Sequence, residues 1–190
     1  MMTKEIINNY YQSLTNSFED DTASYFFNKD RTHNSIIMSF MFERSSNINM
    51  FCGELSILRS GFYKKIEETE EVKTQLITLM KNNFDSFLKK DKCIFNIIFE
   101  HYDSKYMEDL IFLDFFESGL KSRKIRMFKL PNNLKDKNFL EHFTVSDAKI
   151  VRLEYDKEQH SAICSINNDK FFNRANEAFN RILNISIPIV

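Results

Sequence analysis

In the last third of the chain, apolar and polar residues alternate across three short segments: Phe143 and Val145, then Ile150, Val151, Leu153 and Tyr155, then Ala162, Ile163 and Ile166. After these the period lengthens to that of a helix. The pattern over residues 138–183 therefore predicts three strands and a helix. Asp147 and Ala148 make the tight turn between the first two strands. Asn168 or Asp169 caps the helix, whose inward stripe is Phe172, Ala175, Phe179, Ile182 and Leu183. Each large member of that stripe contributes ~1.5–3 kcal/mol when fully buried, so the helix is expected to be docked.

Upstream, Ile6, Tyr10, Leu14 and Phe18 recur every four residues and predict an amphipathic helix over residues 3–18, which packs on the domain or faces a partner. The acidic run Glu19, Asp20, Asp21 ends or bends it, and Tyr25, Phe26 and Phe27 begin a second apolar segment. Residues 36–41 are short enough for a strand, but Ile37, Phe40, Met41 and Arg44 favour a helix stopped at Ser45, and residues 48–53 predict a strand ending at Gly53. Val72, Leu76, Leu79, Met80, Asn83 and Phe87 give residues 62–90 as one long helix. The nearly continuous apolar run of residues 92–99 suits a central strand covered on both faces. Ser104 then caps a helix with Gly119 at its C-cap, and residues 123–130 form a strand alternating basic and apolar residues before Pro131.

This order gives an α/β fold, a mixed β-sheet with flanking helices. Its first half is parallel because helical crossovers demand it. Residues 1–30 are expected as an N-terminal helical extension and residues 31–190 as the α/β domain.

Composition narrows the function classes. The 190 residues include 26 basic and 27 acidic side chains, so no global field draws the chain to nucleic acid or an anionic membrane, although a local patch can still do so. Cys52, Cys93 and Cys164 are widely spaced among apolar residues, as expected of reduced, buried thiols. No window reaches the ~18 apolar residues of a membrane span and the N-terminus lacks a signal-peptide run, which points to the cytoplasm.

Phosphate-cradling glycine motifs are absent, and three glycines in all make such a loop hard to build. His33, His101 and His160 stand isolated, with no zinc-like spacing, so no metal or cofactor is implied. Glu54 and Glu100 each follow a predicted strand. They are read as solvated ends, with a pair of facing carboxylates as the alternative. Lys124, Arg126 and Lys129 belong to the best basic cluster. They are read either as a strip meeting phosphates or as charge protecting an edge strand.

Leu140-Glu141-His142-Phe143-Thr144-Val145-Ser146-Asp147 and Cys164-Ser165-Ile166-Asn167 together resemble the HxKxxxxD and GSxN motifs of the phospholipase D superfamily. The likeness extends over residues 35–185 through element order. Asp147, Ser165 and Asn167 fall on the family's Asp, Ser and Asn. Leu140 stands where the nucleophilic His belongs and His142 where the phosphate-binding Lys belongs. Leucine cannot attack phosphorus, so the resemblance implies a degenerate half-domain that works by binding, as a regulatory or scaffolding subunit beside a partner protein.

Solitary members of this kind are often found near bacterial defence genes, so the resemblance also implies an anti-phage setting. A homodimer is implied because the family's active site lies between two half-domains. The alternative is a dimeric, metal-independent phosphodiesterase or nuclease, with His142 shifted into the nucleophile's place and Asp147, Ser165 and Asn167 beside it. Read without the resemblance, His142 is a sheet-face histidine, Asp147 a turn former, and Ser165 and Asn167 strand-end and capping residues. A plain interaction module whose N-terminal helix docks a partner is the third reading.

Overall fold

The structure, a computed structural model, describes residues 3–132, 141–157 and 159–189. Within them the chain runs α1 (Thr3–Glu19), β1 (Ser24–Asn28), α2 (Arg31–Arg44), β2 (Asn47–Cys52), α3 (Ser60–Lys64), α4 (Glu70–Lys89) and β3 (Ile94–Phe99). It continues through α5 (Lys105–Glu108), α6 (Leu113–Lys121), β4 (Ile125–Lys129), β5 (His142–Ser146), β6 (Ile150–Asp156), β7 (Ser161–Ile166), α7 (Asp169–Ile185) and β8 (Ile187–Pro188). The strands form one mixed sheet in the order β1-β7-β6-β5-β2-β3-β4-β8. β2, β3 and β4 are parallel; the remaining pairs are antiparallel. The expected α/β fold, a mixed sheet with flanking helices, is therefore the observed one.

Strand alternation separates two cores. On one face Ile48, Met50, Phe95, Ile97, Ile125, Met127, Ile150 and Cys164 pack against α2 and α4. On the other, Phe51, Ile98, Phe143, Val145 and Val151 meet Phe179 and Ile182 of α7. α2 is covered on all sides, with every residue from Asn34 to Phe42 buried, so it fills the middle of the thicker layer. Within that layer the Phe42 ring stands edge-on to Phe84, Phe87 and Phe95 at 4.9, 5.4 and 5.4 Å. α1 lies over α2 with Leu14 fully buried. All three cysteines are free thiols.

Three expectations are corrected. Residues 62–90 hold two helices, because the Thr69 hydroxyl accepts the Val72 N–H at 3.4 Å and restarts the chain as α4, with Glu70 and Glu71 in its favourable first turn. The helix expected after Ser104 is likewise split, into α5 and α6. Gly119 is no C-cap. It lies inside α6, where a Cβ would stand 2.5 Å from Ile125 Cδ1, so its lack of a side chain lets α6 approach β4. Within residues 1–30, α1 is helical as expected, while Ser24–Asn28 form β1, an edge strand of the sheet. Among the described residues no helix is long and apolar enough to cross a membrane.

Candidate functional site

β5 and β6 are central strands, so both of their faces are covered, and any charge on them must find partners. Their register sets His142 directly opposite Glu154 and Thr144 opposite Arg152, on the α2 side of the sheet. Arg152 and Glu154 are 8% and 7% exposed, so this is a buried charge cluster. Glu100 joins it from the end of β3, where its N–H donates to the Cys52 carbonyl at 2.8 Å. The hairpin between β6 and β7 brings Lys157 and His160.

The imidazole of His142 is held at both nitrogens. Nδ1 lies 3.2 Å from Glu154 Oε2 and Nε2 lies 2.8 Å from Glu100 Oε2. The other Glu154 oxygen takes Arg152 at 3.1 Å and His160 Nδ1 at 3.0 Å, while Lys157 Nζ reaches Glu100 at 3.2 Å. Arg152 Nε donates to Asn34 Oδ1 of α2 at 2.8 Å. Asn34 also takes Asn28 of β1 at 3.3 Å, and Asn28 accepts from the Tyr10 hydroxyl. One polar network thus runs from α1 through β1 and α2 to the ends of β5 and β6.

Burial pushes the Glu154 carboxyl up. The hydrogen bonds from His142 and His160 and the Arg152 charge outweigh it and hold the group well below the ordinary carboxylate range. Glu100 is likewise pushed up by burial and brought below its ordinary value by His142 and Lys157. A neutral imidazole donates from one nitrogen only. Both carboxylate contacts are satisfied together when the ring carries two protons, and no lone pair then remains to attack phosphorus.

Above the cluster opens a cleft of about 590 Å³. Its lining includes the cations Arg31, Arg59, Lys65, Arg152 and Lys157 against three carboxylates, Glu54, Glu100 and Glu154. Arg59, Arg152 and Lys157 are paired to Glu54, Glu154 and Glu100, and Arg59 also to Asp109, which leaves Arg31 and Lys65 as the lining cations in excess, and these favour an anionic group there. Gly53 forms its floor under the imidazole: a Cβ at Gly53 would stand 3.0 Å from His142 Cε1. Gly53→Ala is therefore expected to displace the ring and lower stability by about 1–3 kcal/mol. At Gly61 an added Cβ meets nothing nearer than Asp109 Oδ2 at 3.5 Å, and Gly61→Ala is the control. Thermal unfolding of the two variants checks this, and equal melting temperatures would remove the close-approach argument.

The structure separates the residues that the motifs single out. His142 begins β5, whereas Asp147 follows its other end, roughly 16 Å along the strand. There Asp147 accepts the Ser46 N–H at 2.9 Å and Asn47 Nδ2 at 3.1 Å, tying the β5–β6 turn to the start of β2. Ser165 lies near the same end, opposite Val151, with a buried hydroxyl that finds no partner among the described residues. Asn167 has a left-handed backbone, φ 56°, and donates to the Ser17 and Phe18 carbonyls at 3.2 Å each, fastening the end of α1. Leu140 lies outside the described residues.

Lys124 donates to the Leu88 and Lys90 carbonyls at 2.7 and 3.0 Å and so caps α4. Arg126 and Lys129 fall on opposite faces of β4, and the three form no common strip. Of the two glutamates read as solvated ends, Glu54 is exposed and pairs with Arg59 at 3.1 Å, but Glu100 is 4% exposed and bound into the cluster. Its neighbours Arg152 and Glu154 belong to no motif, and His160, expected to stand isolated, meets Glu154 at 3.0 Å. The signal for the first two was the sequence Val-Arg-Leu-Glu in a strand flanked by two others, where neither face is free to meet water. Among the described residues no group of three or more His, Cys, Asp or Glu is arranged to hold a metal ion.

No protein-family model and no curated protein matches the chain. Among solved structures it is similar to TrmBL2, an archaeal chromatin protein whose structure shows a novel mode of DNA binding. The TM-score is 0.54 at 10% identity, over 87% of this chain and 54% of that one. The chain thus spans about half the length of that protein, and at this identity the likeness is one of fold. It is also similar to Nuc, a phospholipase D family member from Salmonella typhimurium, with a TM-score of 0.48 at 10% identity over 88% of this chain and 98% of that one. NucT from Helicobacter pylori gives 0.48 and 10% over 88% and 99%.

Proposed function

We propose that this chain is a catalytically degenerate phospholipase D-like domain that works by binding, as a regulatory or scaffolding subunit, and docks an anionic group of its partner in the cleft above His142. The observation that carries this reading is the double engagement of His142 by Glu100 and Glu154, which withholds the ring from nucleophilic attack. The positive lining of the cleft supports an anion there. Nucleic acid is one such partner, and the archaeal chromatin protein that shares the fold supports it. The setting beside an anti-phage effector rests on the sequence resemblance alone.

A second reading, a metal-independent phosphodiesterase acting as a dimer, has one observation in its favour. Arg152 stands directly across from Thr144, so β6 offers the cation that β5 lacks two residues beyond His142.

The deciding assay is metal-free, with EDTA present, on labelled single- and double-stranded DNA, RNA and a generic phosphodiester. The expected result is no turnover by the wild type. Oligonucleotide retention, read by fluorescence anisotropy, is expected to weaken about tenfold in Lys157→Glu, the scale of one charge reversal worth ~1.4 kcal/mol. Cleavage that disappears in His142→Ala would replace the binding reading with the enzymatic one.

A further inference from the structure

The donors at the floor of the cleft are already spent. His142 directs both ring nitrogens at carboxylates, Arg152 is bound to Asn34 and Glu154, and Lys157 to Glu100. Arg31 and Lys65, by contrast, enter no ion pair among the described residues. They also stand together. The Arg31 guanidinium lies 6.0 Å from the centre of the Phe62 ring, and Lys65 follows Phe62 by one helical turn at the end of α3. Both line this cleft and also an adjoining cavity of about 520 Å³, so they form the wall between the two. Arg31 is half-buried and its Nε is buried with no acceptor, which marks a guanidinium short of a hydrogen-bonding partner.

Beyond that wall the second cavity brings in the carboxylates Asp30, Glu67 and Glu68 against one further cation, Lys29. A nucleic-acid backbone running on past Arg31 and Lys65 meets net negative charge there, so a phosphate held between the two belongs at the end of its chain. Charge matching leads to the same answer. A phosphate monoester carries about 1.5–2 negative charges at pH 7 and three acceptor oxygens, which suits two unpaired cations, whereas an internal phosphodiester carries a single charge. His101 and His160 line the same cleft and supply aromatic surface for a base. Its volume of about 590 Å³ is that of a small-ligand site.

We propose that the cleft binds a nucleotide by its terminal phosphate, with that phosphate between Arg31 and Lys65 rather than on His142. This rests on the cleft being an anion site, as proposed above, and names the anion and the residues that select it.

The test is fluorescence anisotropy on the full chain with a single-stranded DNA pentamer labelled at its 3′ end, with and without a 5′-phosphate. The phosphorylated strand is expected to bind about tenfold tighter, and AMP to displace it where adenosine does not. Arg31→Gln and Lys65→Gln are each expected to bring its affinity down to that of the hydroxyl strand. Lys65 is exposed, so its variant is also expected to keep the wild-type melting temperature. Lys170→Gln, exposed on α7 across the sheet, is expected to change neither affinity. A phosphate preference that survives both cleft variants overturns the proposal. So do equal affinities for the two strands: if Lys157→Glu still weakens both, the anion-binding reading stands without this one, and if neither strand binds, the two fall together. A phosphoserine peptide that outcompetes the phosphorylated strand assigns the phosphate to a protein and likewise overturns it.

Discussion

Glu154→Ala is expected to lower the unfolding free energy by about 3–5 kcal/mol, because it leaves Arg152 buried without its carboxylate. That is a large share of the ~5–15 kcal/mol available to a domain. Glu154 receives three of the network's contacts, from His142, Arg152 and His160, and the polar groups left behind are largely buried. The same carboxylates make the wild type acid-sensitive. Glu154 and Glu100 titrate lower in the folded chain than their ordinary value of 4.5. Their contribution is therefore complete above that value and is lost as pH falls below it, through the folded values. Urea unfolding of both proteins at pH 7 and pH 3.5 checks this. The gap between them is expected to narrow at the lower pH. A loss under about 1 kcal/mol at pH 7 would mean that the cluster is solvated and exerts no hold on the strands.

Phe42→Ala is expected to cost about 3–5 kcal/mol through a different mechanism, the opening of a cavity. Phe42 is fully buried on α2, and its ring is met by one aromatic side chain from the sheet and two from α4. Backbone on both sides holds these neighbours apart, so they cannot close on an alanine. Phe42→Leu keeps much of the volume and is expected to lose less than half as much. Chemical denaturation of the three proteins measures the ordering, and equal losses for Ala and Leu would show that edge-on ring packing, rather than volume, is what counts.

The sequence reveals the fold where one physical signal dominates. The apolar run ending at Phe99 suits a central strand, and β3 lies between two parallel neighbours. The shift from alternation to helical spacing after Ile166 marks the start of α7, and Asn168 caps it by accepting the Phe171 N–H at 3.0 Å. Local signals competed elsewhere. The helical stripe from Phe62 onward is continuous in spacing, but the Thr69 cap divides it, because the hydroxyl offers the backbone an N–H partner just ahead of two acidic residues.

The cluster was harder to read because it is assembled across sequence distance. Glu100 and His142 are 42 residues apart and meet only because β2 separates the ends of β3 and β5. His142 attracted attention through the motif it half fills. Arg152 and Glu154 did not, since alternation of polar and apolar residues ordinarily marks a solvated face. Strand order, which the pattern does not encode, turned that face inward.

The position of β1 bears on how the chain is made. Its partner strand is far downstream: Cys164, which Asn28 meets in the finished sheet, comes 136 residues after it. During translation at ~5–20 residues per second, the aromatic segment emerges roughly 7–27 s before β7 exists to receive it. Through that interval two nascent chains on one messenger carry the same unprotected segment, and a polysome is therefore where holdase chaperones have the most to do for this protein.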